Sequence, residues 1–155
     1  MFELDPVLSR DSILVGHFSL CQLRLINDAQ FPWFILVPQR NDITEIYQLV
    51  EEDRQQLMAE SCLLAETLHD AFSATKLNIA AIGNQVPQLH VHHIVRYKVD
   101  PCWPAPVWGK LSAVPYGKED LAEILQKVHS LLSDDLTLPS DDDAEALLLN
   151  KYLNL

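Results

Sequence analysis

The stretch Gly83-Asn84-Gln85-Val86-Pro87-Gln88-Leu89-His90-Val91-His92-His93-Ile94-Val95-Arg96 decides how the rest of the chain is read. It holds three of the six histidines within four positions, behind a turn at Ile82-Gly83-Asn84-Gln85. Along a β-strand, successive side chains point to opposite faces. The spacing therefore predicts that His90 and His92 share a face with Gln88, while His93 points the other way with Leu89 and Val91. That alternation excludes a three-histidine metal site built from this run alone. His90 and His92 still allow two metal ligands if a third, such as His17, arrives from elsewhere. No H-E-x-x-H or carboxylate spacing supports such a centre, so no metal is expected.

On either side of this run the chain alternates strands and helices. Upstream, Lys76 to Ala81 reads as a strand running into the same turn, and residues 51–73 read as a helix. Leu57/Met58, Cys62, Leu64/Ala65, Leu68 and Ala71/Phe72 recur there at three- and four-residue steps, with Cys62 expected in the core. Glu51, Glu52 and Asp53 suit the positive end of its dipole. Residues 12–50 read as strands and turns; residues 19–26 and 33–37 form an antiparallel hairpin across Asn27-Asp28-Ala29-Gln30. The order strand, strand, helix, strand, strand is that of an α+β protein with an antiparallel sheet.

Downstream, residues 101–109 form a rigid segment rich in proline and tryptophan. Either Trp103 and Trp108 stack on a base or the segment is a packed strap. A helix over 118–133 carries Leu121, Ile124, Leu125, Val128, Leu131 and Leu132 on one stripe. Another begins at the box Ser140-x-x-Asp143 and carries Leu147, Leu148 and Leu149; with Tyr152 and Leu153 these are expected to cover a core edge or a subunit contact. One domain is expected: residues 1–110 as its main body and 111–155 as a helical extension packed on it.

A net charge of −11 argues against a nucleic acid polymer or an anionic membrane as partner. No apolar run is long enough to span a bilayer, and the start MFELDPVLSRD is acidic where a secretory signal is basic. Cys21, Cys62 and Cys102 form no C-x-x-C pair, so a reducing, cytoplasmic location is expected. Six of the 22 acidic residues lie in residues 134–145, so the acidity does not exclude a small nucleotide held locally. Arg96, with Lys98 or Lys110, is a candidate source of positive charge near such a ligand.

The quoted stretch resembles the signature of the histidine triad (HIT) family, G-Q-[ST]-V-x-H-φ-H-φ-H-φ-φ-P-R, where φ is apolar. Gln88, His90 and His92 take the three triad positions, which keeps Ile94 and Arg96 on their family positions. His93 then falls on an apolar position and is expected behind the sheet. Residues 24–27 and 31–40 resemble the family's strand, turn and strand closing on a Pro-x-Arg. The resemblance covers roughly residues 10–100. It implies a HIT-like antiparallel sheet with a long helix packed on it, and a homodimer.

It also implies roles. The middle histidine of the family is the nucleophile, which makes His90 the attacker of the α-phosphorus of a nucleotide. A nucleotidyl-histidine intermediate would follow, with the other ring nitrogen donating to a backbone carbonyl. His92 would contact phosphoryl oxygens as charge grows on them. Gln88, replacing the first histidine, keeps a donor and an acceptor for positioning but cannot carry a proton. Asn84 and Gln85 would donate to the phosphate, Asn27 would bind the ribose hydroxyls, and Asn78 would join the site. The expected activity is nucleotidyl hydrolysis or transfer on a nucleotide conjugate or dinucleoside polyphosphate, without a cofactor. The alternative is a catalytically weak nucleotide-binding module of the same fold, marked by Gln88 and Gln85.

Overall fold

A computed structural model describes residues 1–140 and 143. A short helix α1 (Pro6–Asp11) leads into β1 (Ser12–His17), β2 (Cys21–Ile26) and β3 (Trp33–Pro38). Then come a 3-10 turn (Ile46–Gln48), the long helix α2 (Glu51–Phe72), β4 (Lys76–Ala80), β5 (Val91–Arg96) and α3 (Lys118–Leu131). The five strands form one antiparallel sheet in the order β1-β2-β3-β5-β4. The α+β reading holds, with one strand more before the long helix than the simple strand count.

That strand, β1, packs close to the chain's later part. A Cβ on Gly16 would lie 2.7 Å from both the Leu136 side chain and the Thr137 carbonyl oxygen. The ladder is bulged between Leu14 and Gly16, and His17 exchanges two backbone hydrogen bonds of 2.8 Å with Thr137.

One face of the sheet is apolar and covered by helices. Leu23, Leu25, Phe34, Leu36, Val91 and Val95 meet Leu57, Leu64 and Leu68 of α2 and Leu121, Ile124, Leu125 and Val128 of α3. The helix over 118–133 thus lies close to expectation, although Leu131 faces solvent. The face of α2 differs from its expected one: Glu60 and Ser61 are buried, whereas Met58 and Cys62 are exposed. Cys62 precedes Leu64 by two residues, about 200° around the helix, so it cannot share its stripe. The helix ends where Ser73 adopts the left-handed conformation (φ 50°) and Ala74 N–H bonds the His69 carbonyl at 3.1 Å. The helix expected from Ser140, with Leu147–Leu149, Tyr152 and Leu153, lies outside the described residues; Ser140 N–H does donate to Asp143 Oδ2 at 2.9 Å.

The opposite sheet face is the polar one. Antiparallel partners share a face, so Ile35 opposite His92 and Trp33 opposite Ile94 place Trp33, Ile35, His92, Ile94 and Arg96 together. Neither α2 nor α3 covers this face; α1 packs Leu8 against Ile35 and Val37 at its edge. The N-terminal residues, the loop before β5 and the chain from 101 to 117 rim it.

Candidate active site

A cleft of about 670 Å³ opens on that face, walled by α1, the loop at 82–86 and the segment at 107–115. His90 and His92 both line it. Their rings lie edge to face with centroids 4.9 Å apart, and His92 is flanked by Trp33 at 5.7 Å and Trp108 at 5.2 Å. His93 points away, as alternation requires. Fully buried behind the sheet, it bonds Ser61 Oγ through Nε2 at 2.7 Å and the Val91 carbonyl through Nδ1 at 3.1 Å.

The partners of the two cleft histidines set opposite tautomers. His90 Nδ1 lies 2.7 Å from the Gln88 carbonyl oxygen, which only accepts, so Nδ1 carries the proton and Nε2 keeps its lone pair. Trp33 Nε1–H donates to His92 Nδ1 at 2.9 Å, so the proton of neutral His92 sits on Nε2. Burial, with repulsion from His90 and His93 added, pushes His92 down to about 3 and keeps it neutral. A lone pair on the residue just before β5 and an N–H donor on β5 thus stand side by side.

The other expected residues divide. Asn27, Asn84 and Gln85 line the cleft, with Asn27 Oδ1 anchored by Tyr116 N–H at 2.9 Å. Gly83 turns the 82–86 loop at φ 67°, where a residue with a Cβ would be strained. Gln88 does not join His90 and His92 in lining the cleft. It lies before β5 begins, so strand alternation does not reach it, and its amide instead holds the N-terminal segment. Asn78 lies opposite Ile94 on the same sheet face but does not line the cleft; its Oδ1 accepts from Arg96 Nη1 at 2.7 Å.

Arg96 supplies no charge to a ligand there. It is 1% exposed, stacked near Phe31 and Trp103, and held by Asp100 (2.8 and 3.1 Å), Asn78 and the Ala105 carbonyl (2.9 Å). Burial alone would raise the Asp100 carboxyl, but Arg96 and the amides of Tyr97, Cys102 and Trp103 bring it down to about 2. Lys98 and Lys110 do not line the cleft either; its one Lys or Arg among the described residues is Arg10, paired with Asp11 at 2.6 Å. His17 faces Asp143 at 3.4 Å and does not join the cleft as a third metal ligand.

The two tryptophans of the 101–109 segment have separate places: Trp103 stacks under Arg96, and Trp108 lines the cleft beside Trp33. The Trp108 indole N–H is buried without a hydrogen-bond partner among the described residues. Sequence reasoning missed Trp33, Asp28 and α1 as cleft walls. Trp33 carried the one usable signal, since it alternates in phase with Ile35, but only the strand register shows that Ile35 opposes His92.

A family model described as HIT domain matches residues 8–99. Among solved structures, a histidine triad protein from Marinobacter aquaeolei VT8 is 48% identical, with a TM-score of 0.85 over 86% of this chain and 98% of that one. A histidine triad (HIT) protein from Sinorhizobium meliloti 1021 is 46% identical, TM-score 0.83, over 85% and 98%. One from Bradyrhizobium japonicum is 38% identical, TM-score 0.82, over 83% and 96%. No curated protein matches the chain.

Proposed function

This chain belongs to the histidine triad (HIT) family, and from that premise we propose that it is a nucleotidyl hydrolase or transferase acting through His90. The observation that carries this reading is the pair of opposite tautomers in the cleft. Attack on phosphorus needs an unprotonated nitrogen, and the phosphoryl oxygens need a donor as their charge grows.

The Nε2 lone pair of His90 attacks the α-phosphorus of a nucleotide conjugate. The Nε2–P bond forms as the bond from phosphorus to the leaving group breaks, and that group departs with the electron pair. The positive charge left on the His90 ring is stabilised by Nδ1–H donation to the Gln88 carbonyl. His92 Nε2–H, with the amides of Asn84 and Gln85, donates to the phosphoryl oxygens. Water or another acceptor then attacks phosphorus, the P–N bond breaks, and the acceptor's proton passes to solvent. Asn27 stands at the wall for a ribose, and Trp33 and Trp108 offer apolar surface for a base.

Replacing His90 by Ala should lower turnover of a nucleoside phosphoramidate or dinucleoside polyphosphate on the order of 10⁴-fold. Replacing His92 by Ala should cost about 10²- to 10³-fold, the usual effect of one lost oxyanion donor. Mass spectrometry of the wild type on a slow substrate should find a nucleotidyl adduct on His90. Nucleoside monophosphate binding without any adduct would instead favour a binding module of this fold.

A further inference from the structure

We propose that Gln88 is a positioning residue that locks the N-terminal segment to the attacking histidine: its side chain clasps residues 3–5 while its carbonyl fixes the His90 tautomer. The inference rests on the reading of His90 as nucleophile and departs from any role for the Gln88 side chain inside the cleft.

The clasp is two hydrogen bonds from one amide. Asp5 N–H donates to Gln88 Oε1 at 2.8 Å, and Gln88 Nε2 donates to the Glu3 carbonyl at 2.9 Å. These two backbone groups flank Leu4 on one edge of an extended segment, the spacing at which a neighbouring strand would offer its own N–H and C=O. A primary amide presents its donor and acceptor side by side and so imitates the N–H and C=O that one residue of that missing strand would show on a shared edge. An imidazole presents its donor and acceptor on opposite sides of the ring. A histidine here would reach one of the two groups and leave the other. The substitution at this triad position is therefore matched to the N-terminal segment rather than to the phosphate.

The segment is held elsewhere by a second amide. Asn41 Nδ2 donates to the Met1 carbonyl at 2.8 Å, and Asn41 Oδ1 accepts from Glu3 N–H at 3.1 Å. Phe2 and Leu4 pack on Leu8, Ile35, Val37 and Val86, on the cleft side of the sheet. Asp5 then caps α1 by accepting from Val7 N–H at 2.8 Å, and α1 supplies Val7, Leu8, Arg10 and Asp11 to the cleft wall. The same residue that ends this chain of contacts presents its carbonyl to His90 Nδ1 at 2.7 Å. Loosening the clasp frees the residue that carries the carbonyl. Without a fixed acceptor at Nδ1, His90 is free to place its proton on Nε2, where no lone pair remains for attack.

The test uses full-length protein labelled with ¹⁵N-histidine, whose long-range ¹H–¹⁵N spectra report which nitrogen of His90 is protonated. The wild type should show the Nδ1–H form alone. Gln88→Met, similar in length but without the amide, should mix the two tautomers and lower kcat about tenfold with KM changed less than about threefold. Asn41→Ala touches neither Gln88 nor His90, yet should shift both readouts in the same direction by less, and should add nothing to Gln88→Met. A folded Gln88→Met protein with a pure Nδ1–H tautomer and wild-type kcat overturns the proposal, as does an Asn41→Ala protein whose loss is fully additive with it. If Gln88→Met does not fold, a wild-type spectrum and kcat for Asn41→Ala overturn it equally. The tautomer spectrum does not depend on turnover, so failure of the nucleotidyl-transfer reading would show separately, as a wild type that forms no adduct.

Discussion

His92 and His93 are adjacent in the chain and lie on opposite faces of the sheet, and both are imidazoles that burial keeps neutral. Burial sends His93 down to about 4, with the Val91 carbonyl opposing it weakly, and His92 to about 3. In the unfolded chain both titrate near about 6.5. Between these values the unfolded state binds protons that the folded state refuses, so stability is lost as pH falls. Each residue contributes at most about 1.4 kcal/mol per pH unit, from about pH 6.5 down to about pH 4. Asp100, whose carboxyl is also depressed, acts lower, below about pH 4, where its unfolded form protonates. Urea unfolding of the wild type between pH 7.5 and 4.5 should therefore show a steady fall in ΔG. His93→Gln should be less stable at neutral pH but should show a visibly shallower slope. An identical slope in the variant would remove His93 from the linkage.

Helix α2 shows how a side chain outside the cleft organises the sheet that bears it. Its buried stripe is interrupted by Glu60, whose carboxylate accepts from Leu20 N–H at 2.8 Å, Cys21 N–H at 3.1 Å and Ser19 Oγ at 3.1 Å. Ser19 and Leu20 lie in the turn that joins β1 to β2, and Cys21 opens β2. The next residue, Ser61, holds His93 on β5, so one helical turn pins two separate strands. An acid and a serine in an apolar stripe read from sequence as solvent-facing, which is why Cys62 was expected inside in their place. Removing the carboxylate strands two buried amides at about 1–3 kcal/mol each. Glu60→Ala should cost about 3 kcal/mol or more, and Glu60→Gln, which keeps one acceptor oxygen, about 1–2 kcal/mol. Chemical denaturation measures both, and a Glu60→Ala protein within about 0.5 kcal/mol of wild type would show that the turn finds other acceptors.

Across the molecule, what could be read in advance followed local rules. Alternation read from His90, one residue ahead of β5, put His90 and His92 together and His93 behind them, and helical periodicity found α2 and α3 to within a few residues. What escaped depends on contacts between distant segments: Gln88 with Glu3 and Asp5, Trp33 with His92, Asn78 with Arg96. Periodicity holds no record of which strand lies beside which. The charge of −11 is the property whose meaning the fold changes most. The cleft is lined by Asp11, Asp28 and one arginine that already pairs with Asp11, so a phosphate there meets neutral donors inside a negative molecule. Cation-held phosphates lose affinity as salt rises, because screening weakens the attraction. Here the long-range term is repulsive, and screening relieves it as the Debye length falls from about 10 Å at 0.1 M to about 3 Å at 1 M. Calorimetric titration with a nucleoside monophosphate should thus give an affinity that stays level or rises across that range. A tenfold loss would mean that cationic side chains, absent from the described cleft wall apart from Arg10, carry the phosphate instead.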